Sequence, residues 1–157
     1  FILRAKSPYL SPEPVSLEPK MSDTLLNATA PDLDLIEQIA RATISDLPAA
    51  HKVLATSVGV TVMDFVPEDL MTEIGLEDPF ALTGLYTGIP MPEKATMDQA
   101  TAPDTIWLFR RPILDEWCLR GDVTLQQMVA HVTVHELAHH FGWSDADIAK
   151  IDKWWDY

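Results

Sequence analysis

Hydrophobic residues recur at helical spacing in two long segments of the chain. Residues 31–45 carry one apolar stripe, and a proline suits the first turn of the helix that this stripe predicts. Residues 125–141 are apolar over most of a helical circumference, which predicts a buried helix. Asp122 or Thr124 is expected to cap the start of this helix, and Gly142 is expected to end it.

Segments rich in β-branched and aromatic residues predict strands between the two long helices. Residues 53–66 are rich in valine and threonine and are predicted to be a strand region that is broken near Gly59. Residues 105–111 are predicted to be a second strand, ended by the proline that follows. The segment 78–104 is predicted to be mostly loop, with a turn at residues 84–90.

Shorter helices are predicted from start and stop signals. One covers residues 67–74 and another residues 113–119, and a glycine follows each of them closely. A last short helix opens after Ser144, and Asp147 stands at the spacing of a capping box. The pattern shows no internal repeat and no second folded domain.

Length and charge exclude several classes of function. The chain has 157 residues, enough for one domain with a real core. Its formal net charge of −13 leaves no basic surface to neutralise phosphates, so we expect neither nucleic acid nor a membrane surface as a partner. No stretch approaches the roughly 20 apolar residues of a membrane span, and no signal peptide is recognised. We therefore expect a cytoplasmic protein, whose oligomeric state is not predicted.

The chain ends and the single cysteine carry weaker signals. Residues 1–20 hold four of the twelve prolines without a sustained period, so we expect an extended arm or an expression-vector remnant ahead of a domain at 21–157. The aromatic residues 154–157 are expected to dock on the domain or on a partner. Cys118 is the only cysteine, which excludes an intramolecular disulfide and predicts a small, buried apolar side chain.

The second long helix carries a metal-binding pattern. His135 and His139 lie four residues apart, one turn along the same face, where two imidazoles can share one metal ion. Glu136 lies on the flank of that face, where it can reach a metal-bound water instead of the metal. Zinc lowers the pKa of such a water towards about 7, and the glutamate takes its proton. A metal also satisfies these polar groups on an otherwise buried helix.

A zinc site of this kind needs a third protein ligand, and the residues after the helix narrow the choice. No glutamate follows Glu136 and no histidine follows His140. Gly142 can turn the chain sharply, and three residues later Asp145 can return to the metal. Two alternatives stay open: Asp145 is only a first-turn carboxylate of the last helix, or the third ligand comes from upstream.

The metal-binding helix and two upstream blocks resemble the minimal zincin-like metallopeptidase family, which is widespread in bacteria. The resemblance covers roughly residues 30–150, and its most specific part is the helix itself. The matching blocks are GLYTGIP at 84–90, IWLFRRP at 106–112 with LDEW at 114–117, and HVTVHELAHHFG at 131–142 with Asp145.

The resemblance implies a compact α+β fold, a single small domain with a small mixed sheet beside the buried metal-binding helix. It also implies that the strand at 105–111 borders the cleft and pairs with an extended peptide or protein substrate. Larger zincins have a methionine turn below the metal, and no methionine follows Met128 here, so the chain is not a full member of that larger group. The implied Zn²⁺ ligands and general base are His135, His139, Asp145 and Glu136.

A peptidase also needs a group that stabilises the oxyanion beside the metal. Tyr86, in a glycine-flanked loop, is the first candidate and Arg110 is the second. Asp115 or Glu116 is a candidate to accept a hydrogen bond from the second ring nitrogen of a ligating histidine. Structural roles are favoured for the remaining histidines of the helix, His131 and His140.

Three functions share these residues. The leading hypothesis is a zinc-dependent metallopeptidase. The alternative is a non-enzymatic, zinc-stabilised protein-interaction module, although a purely structural site has no use for a base such as Glu136. A zinc hydrolase of a non-peptide substrate is the third, with the same residues and a different cleft.

Overall fold

A computed structural model describes residues 27–94 and 103–151 of the chain. The chain divides into two units, Phe1–Ala30 and Pro31–Tyr157. Only residues 27–30 of the first unit are described, and they are exposed. The predicted arm at 1–20 and the aromatic residues 154–157 lie outside the described residues. Among the described helices, none is both long and apolar enough to cross a membrane.

The second unit is an α+β domain built on a small mixed sheet, as predicted. Its elements in chain order are α1 Leu33–Ser45, α2 Ala49–Ala55, β1 Gly59–Met63, α3 Glu68–Ile74, β2 Gly84–Thr87, β3 Thr105–Phe109, α4 Arg110–Arg120, α5 Leu125–His140 and α6 Asp145–Ile151. The strand order is β1-β3-β2, in which β3 pairs in parallel with β1 and antiparallel with β2. β3 is therefore the central strand, and β2 lies at the edge beside α5.

Capping side chains and glycines set the helix boundaries. Asp32 accepts a backbone N–H at 2.8 Å, so α1 begins just after it. Thr124, not Asp122, caps α5 and forms a capping box with Gln127. Left-handed glycines end α3 and α4 as predicted: Gly75 and Gly121.

The strand predicted at 53–66 is wrong in its first part. Residues up to Ala55 form α2, and the hydroxyls of Thr56 and Ser57 donate to carbonyls of its last turn. Val53 is 72% exposed on that helix, so its β-branched side chain gives no support to a sheet. The strand begins at Gly59, because that residue is the first to pair with β3. The sequence predicted a break at this glycine and not the start of the strand.

The loop predicted at 78–104 contains strand β2, which the sequence did not reveal. Four residues are too few to show a clear period, and pairing with β3 makes them a strand. β3 ends two residues before the predicted position, because α4 begins at Arg110. Pro112 lies in the first turn of α4, where its missing N–H needs no helical partner.

The prediction that the strand at 105–111 borders the cleft as an edge strand is also wrong. β3 is paired on both sides within the described sheet, so its backbone groups are already used by β1 and β2. β2 takes the edge position beside α5.

The core fixes α5 against the sheet and α1. Burying one aliphatic side chain stabilises the fold by about 1.5–3 kcal/mol. The buried face of α5 therefore holds the helix in place, and with it the side chains on the opposite face. Cys118, predicted to be buried, is exposed. It follows the buried Ile113 by five residues, about 140° around α4. Fully buried apolar side chains of this core are Ile36, Ala40, Ala55, Ile106, Leu108, Ile113, Met128, Val129 and Leu137.

Candidate metal centre

Helix α5 presents His135 and His139 side by side at its C-terminal end. Their ring centroids lie 5.0 Å apart, and each side chain is about one quarter exposed. The Nε2 atoms of both rings lie close to one carboxylate oxygen, Asp145 Oδ1, at 3.3 Å from His135 and 3.2 Å from His139. One ligand atom from each residue lies within 4.8 Å of the others. The structure thus brings the three predicted ligands together.

Asp145 reaches the histidines through a turn that closes α5. Gly142 has a φ of 89°, and its N–H and that of Trp143 donate to carbonyls of the last helical turn at 2.9 Å and 3.0 Å. The turn lies directly against Pro92, because a Cβ at Gly142 would stand 2.6 Å from the proline Cγ. A glycine is therefore required here by conformation and by space.

The start of α6 completes this turn. Ser144 Oγ donates to Asp147 Oδ2 at 2.7 Å and accepts from the Asp147 N–H at 3.3 Å, which confirms the predicted capping partner. Asp145 is the first residue of α6, and its side chain is 84% exposed. The turn, and not burial, holds this carboxylate beside the two imidazoles.

One hydrogen bond identifies the nitrogen of His139 that faces the ligands. Its Nδ1 lies 2.9 Å from the carbonyl oxygen of Trp143, which can only accept, so Nδ1 carries a proton. In a neutral ring the lone pair then lies on Nε2, the atom beside Asp145. A lone pair and a carboxylate oxygen repel unless a cation or a proton lies between them. Two imidazole nitrogens and one carboxylate oxygen suit Zn²⁺, so these residues fit that ion.

The predicted acidic partner for a ligating histidine is not found among the described contacts. Asp115 is exposed, and Glu116 Oε1 accepts a hydrogen bond from Arg120 Nε at 3.0 Å. The Trp143 carbonyl takes this orienting position for His139. A backbone carbonyl has no residue signature, so the sequence could not reveal it.

Glu136 is buried under the outer edge of β2. Glu136 is 7% exposed. A Cβ at position 84 would stand 2.9 Å from Glu136 Oε1, so only a glycine there lets β2 lie this close to the carboxyl group. Burial raises the pKa of Glu136 to about 7, because the charged form loses hydration. The backbone N–H of Tyr86, which donates to the carboxylate, lowers that pKa, and the charge of Asp145 raises it. A carboxyl group with this pKa exchanges its proton near neutral pH.

The backbone of β2 faces two directions. The N–H of Phe109 donates to the Thr83 carbonyl at 2.9 Å, and the register places Gly84 opposite Leu108. Hydrogen-bonded and non-hydrogen-bonded pairs alternate in an antiparallel ladder. The backbone groups of Gly84 and Tyr86 therefore face away from β3. They border a cleft of about 360 Å³ that His135 and His139 also line.

The hydroxyl of Tyr86, a predicted oxyanion candidate, lies in a second group of polar residues beside the metal ligands. It is 3.0 Å from Asp104 Oδ1, 3.1 Å from His140 Nδ1 and 3.2 Å from the Ile89 carbonyl. The hydroxyl is thus engaged away from the ligating histidines. The group of Tyr86 that faces Glu136 is its backbone N–H, whose hydrogen bond lowers the pKa of that carboxyl.

The structure does not bring Arg110, the second oxyanion candidate, to the site. Its Nε donates to Asp64 Oδ1 at 2.6 Å, and its Nη1 donates to the Pro31 carbonyl at 2.9 Å. Asp64 directly follows β1, which flanks β3 on the side opposite to β2. Arg110 therefore ties β1 to the start of α4.

Four residues form a cluster that we call the tyrosine cluster: Tyr86, Lys94, Asp104 and His140. Burial would raise the pKa of Asp104, but hydrogen bonds from Lys94 and Tyr86 outweigh it and hold that pKa below its usual range. Burial lowers the pKa of His140, which is 1% exposed.

Sequence reasoning gave His140 and His131 structural roles and did not single out Asp104 or Lys94. The burial of His140 was foreseeable, since it follows the buried Thr133 by seven residues on α5. His131 is half-buried, with its ring centroid 6.3 Å from that of His135. Asp104 and Lys94 had no signal, because only the fold brings them to Tyr86.

A family model described as "Zincin-like metallopeptidase" matches residues 55–155, more than half of the sequence. The matched segment contains the three candidate ligands, Glu136 and the tyrosine cluster. No curated protein matches the chain.

Proposed function

This chain belongs to the zincin-like metallopeptidase family, and from that premise we propose that it is a zinc-dependent peptidase with Glu136 as its general base. The observation that carries the proposal is the convergence of three ligand atoms beside a buried carboxyl group. A closed structural zinc site uses four protein ligands. The described residues supply three, together with a group suited to proton transfer.

Zinc would be held by His135, His139 and Asp145. When bound, it supplies Lewis-acid chemistry that polarises a substrate carbonyl and makes water more acidic. The protein prepares its ligands for this role. The Trp143 carbonyl fixes the Nδ1–H form of His139, and the turn at Gly142 holds Asp145 at the two rings.

Glu136 would act as the proton carrier of the reaction. It accepts a proton from the attacking water and returns it to the departing amine. Its buried setting keeps its pKa near neutrality, and the Tyr86 N–H holds the carboxylate under the edge strand. Both features favour transfer in either direction at physiological pH.

The outer edge of β2 suits an extended peptide or protein as the substrate. The carbonyls of Gly84 and Tyr86 face away from β3 and can accept hydrogen bonds from an added strand. A neighbouring cavity of about 290 Å³, with Met128 and Val132 among its lining residues, adjoins Glu136 and has room for a substrate side chain. This edge replaces the strand at 105–111 as the expected docking segment.

The proposal is tested by Glu136→Gln in protein purified without a chelator or a metal-affinity tag. Zinc content is measured first, and hydrolysis is then followed with a fluorescence-quenched peptide library. We expect about one zinc per chain in both proteins. We expect the rate to fall by on the order of 10²–10⁴, because general-base catalysis contributes that much.

Glu73→Gln is the matched control, since it makes the same change at an exposed position on α3. It should leave both zinc content and rate unchanged. Hydrolysis that survives Glu136→Gln would assign the base elsewhere. Zinc binding without any peptide hydrolysis would favour the interaction module or a hydrolase of a non-peptide substrate.

A further inference from the structure

Tyr86 joins two parts of the site through different groups of one residue. Its backbone N–H faces away from β3, on the edge of β2 under which the carboxylate of Glu136, the proposed base, is buried. Its hydrogen bond to that carboxylate lowers the pKa of the group. Its hydroxyl, at the far end of the ring, is bonded to Asp104 and His140 in the tyrosine cluster. The Tyr86 side chain therefore does not contact the candidate metal ligands. The contacts that fix this side chain also fix the position of the Tyr86 backbone N–H beside Glu136.

The hydrogen bond between the hydroxyl and Asp104 has a defined direction. An ionised Asp104 can only accept, and it is the stronger acceptor, at 3.0 Å against 3.2 Å for the Ile89 carbonyl. The single hydroxyl hydrogen therefore goes to Asp104, and His140 Nδ1 is the other hydrogen-bond partner of the hydroxyl, at 3.1 Å. Lys94 pairs with the other oxygen of Asp104 and keeps that carboxylate in place.

The cluster joins segments that are distant in sequence. Tyr86 lies on β2, Asp104 immediately precedes β3, and His140 is the last residue of α5. The tyrosine ring also meets the His140 ring edge-on at 5.5 Å. A Cβ at Gly88 would stand 2.2 Å from Asp104 Oδ1 and 2.6 Å from the Tyr86 hydroxyl, so the chain closes tightly over the cluster. The hydroxyl is thus held by residues of two other segments, Asp104 and His140.

Tyr86 needs such an anchor because β2 is short and lies at the sheet edge. Only alternate residues of its four bond to β3, and the Tyr86 N–H faces outward. Elements with few backbone bonds open locally at low free-energy cost. We propose that Tyr86 is a positioning residue, and that Asp104 and His140, by holding its hydroxyl, keep its N–H on the Glu136 carboxylate. The catalytic consequence rests on the proposed peptidase function, whereas the positioning is measurable without hydrolysis.

The test is Tyr86→Phe in the zinc-loaded full chain. This change keeps the ring and removes only the hydroxyl. We expect hydrogen exchange of the backbone amide at position 86, followed by NMR, to become at least about tenfold faster, since one hydrogen-bonded anchor is lost. On the quenched peptide library, kcat should fall by about tenfold, with a smaller change in KM, while zinc content stays the same.

Thr87→Val is the matched control on the same strand. The Thr87 hydroxyl accepts from Trp107 Nε1 at 2.9 Å and donates to the Thr105 carbonyl at 3.4 Å, so this change also removes hydrogen bonds from β2. Those bonds face β3 and not Glu136. We expect protection of the position-86 amide and kcat to stay within about twofold of the parent.

Asp104 provides a second and conservative comparison. Asp104→Asn keeps an oxygen that can accept from the Tyr86 hydroxyl, whereas Asp104→Ala removes it. Exchange at position 86 should therefore be slower in Asp104→Asn than in Asp104→Ala, and the alanine variant should match Tyr86→Phe.

Equal exchange and equal kcat in Tyr86→Phe and Thr87→Val would overturn the inference. If the zinc-loaded parent hydrolyses no peptide, the proposed function fails. The amide exchange of the two variants then still decides whether the hydroxyl positions the N–H.

Discussion

His139 and His140 are adjacent in the sequence but belong to regions of opposite character. His139 lies on the metal face, defined by His135, His139 and Asp145, where every side chain is at least 25% exposed. His140 lies in the tyrosine cluster and is 1% exposed. A step of about 100° around α5 separates a ring that can hold a metal from a ring that holds the fold together.

The two regions are also assembled in different ways. The metal face uses one helix and the turn that follows it, within residues 135–145. The tyrosine cluster joins β2, the segment before β3 and α5, and its Tyr86–His140 contact spans 54 residues. The positions of the three candidate ligands thus depend on local backbone geometry. The positions of the residues in the tyrosine cluster depend on contacts between segments that are distant in sequence. Glu136 lies between the regions, since it follows a ligand and is bonded to Tyr86.

The largest expected effect comes from His139→Ala. It removes one of the three ligands, so zinc content should fall from about one per chain to none after excess metal is removed. The free energy of unfolding, measured by urea in the presence of a chelator, should change by less than about 1 kcal/mol, because the side chain is partly exposed. Retention of zinc at the parent level would move this ligand elsewhere.

His140→Ala should produce the opposite result. It removes a buried ring and one hydrogen-bond partner of the Tyr86 hydroxyl, so the free energy of unfolding in chelator should fall by about 4 kcal/mol. The zinc content of the folded fraction should stay near one per chain. A loss of zinc without a loss of stability would mean that His140 contributes to metal binding and not to the stability of the fold, which would contradict the distinction between the two regions.

The sequence predicted that His135, His139 and Asp145 lie together, because their spacing along the chain is local. An i,i+4 pair on a helix, a left-handed glycine and an aspartate three residues later are all local features. It missed β2, because four residues become a strand only through their partner β3. It placed Arg110 near the cleft, because the predicted strand extended through residues that begin α4.

The tyrosine cluster was not recognised for the same physical reason. No rule of spacing relates Tyr86 to Asp104, 18 residues away, or to His140. His140 could be read as buried from its helix face, but its partner could not be identified. The sequence therefore predicts the chemistry of the ligands better than the contacts that position them.

The smallest expected effect concerns Glu136. It tests whether this carboxyl group is desolvated like the tyrosine cluster or hydrated like the metal face. Its pKa is about 7 in the folded protein against 4.5 when solvated, so the folded state holds more protons than the unfolded chain between those pH values. The free energy of unfolding should then fall as pH rises across that window. Glu136→Gln removes this dependence, and in chelator it should be more stable than the parent at pH 8 by up to about 3 kcal/mol.

The two proteins should converge below pH 4.5, where the parent carboxyl becomes protonated in the unfolded chain as well as in the folded protein. Urea unfolding from pH 4.5 to 8 measures the difference, and Asp115→Asn, which removes an exposed carboxylate on α4, should follow the parent curve. Parallel curves for Glu136→Gln and the parent would mean that hydration reaches Glu136 and that it belongs with the exposed metal face. A stability difference that grows with pH would group Glu136 with the buried tyrosine cluster. In that case desolvation raises the pKa of Glu136 by more than the hydrogen bond from the Tyr86 N–H lowers it.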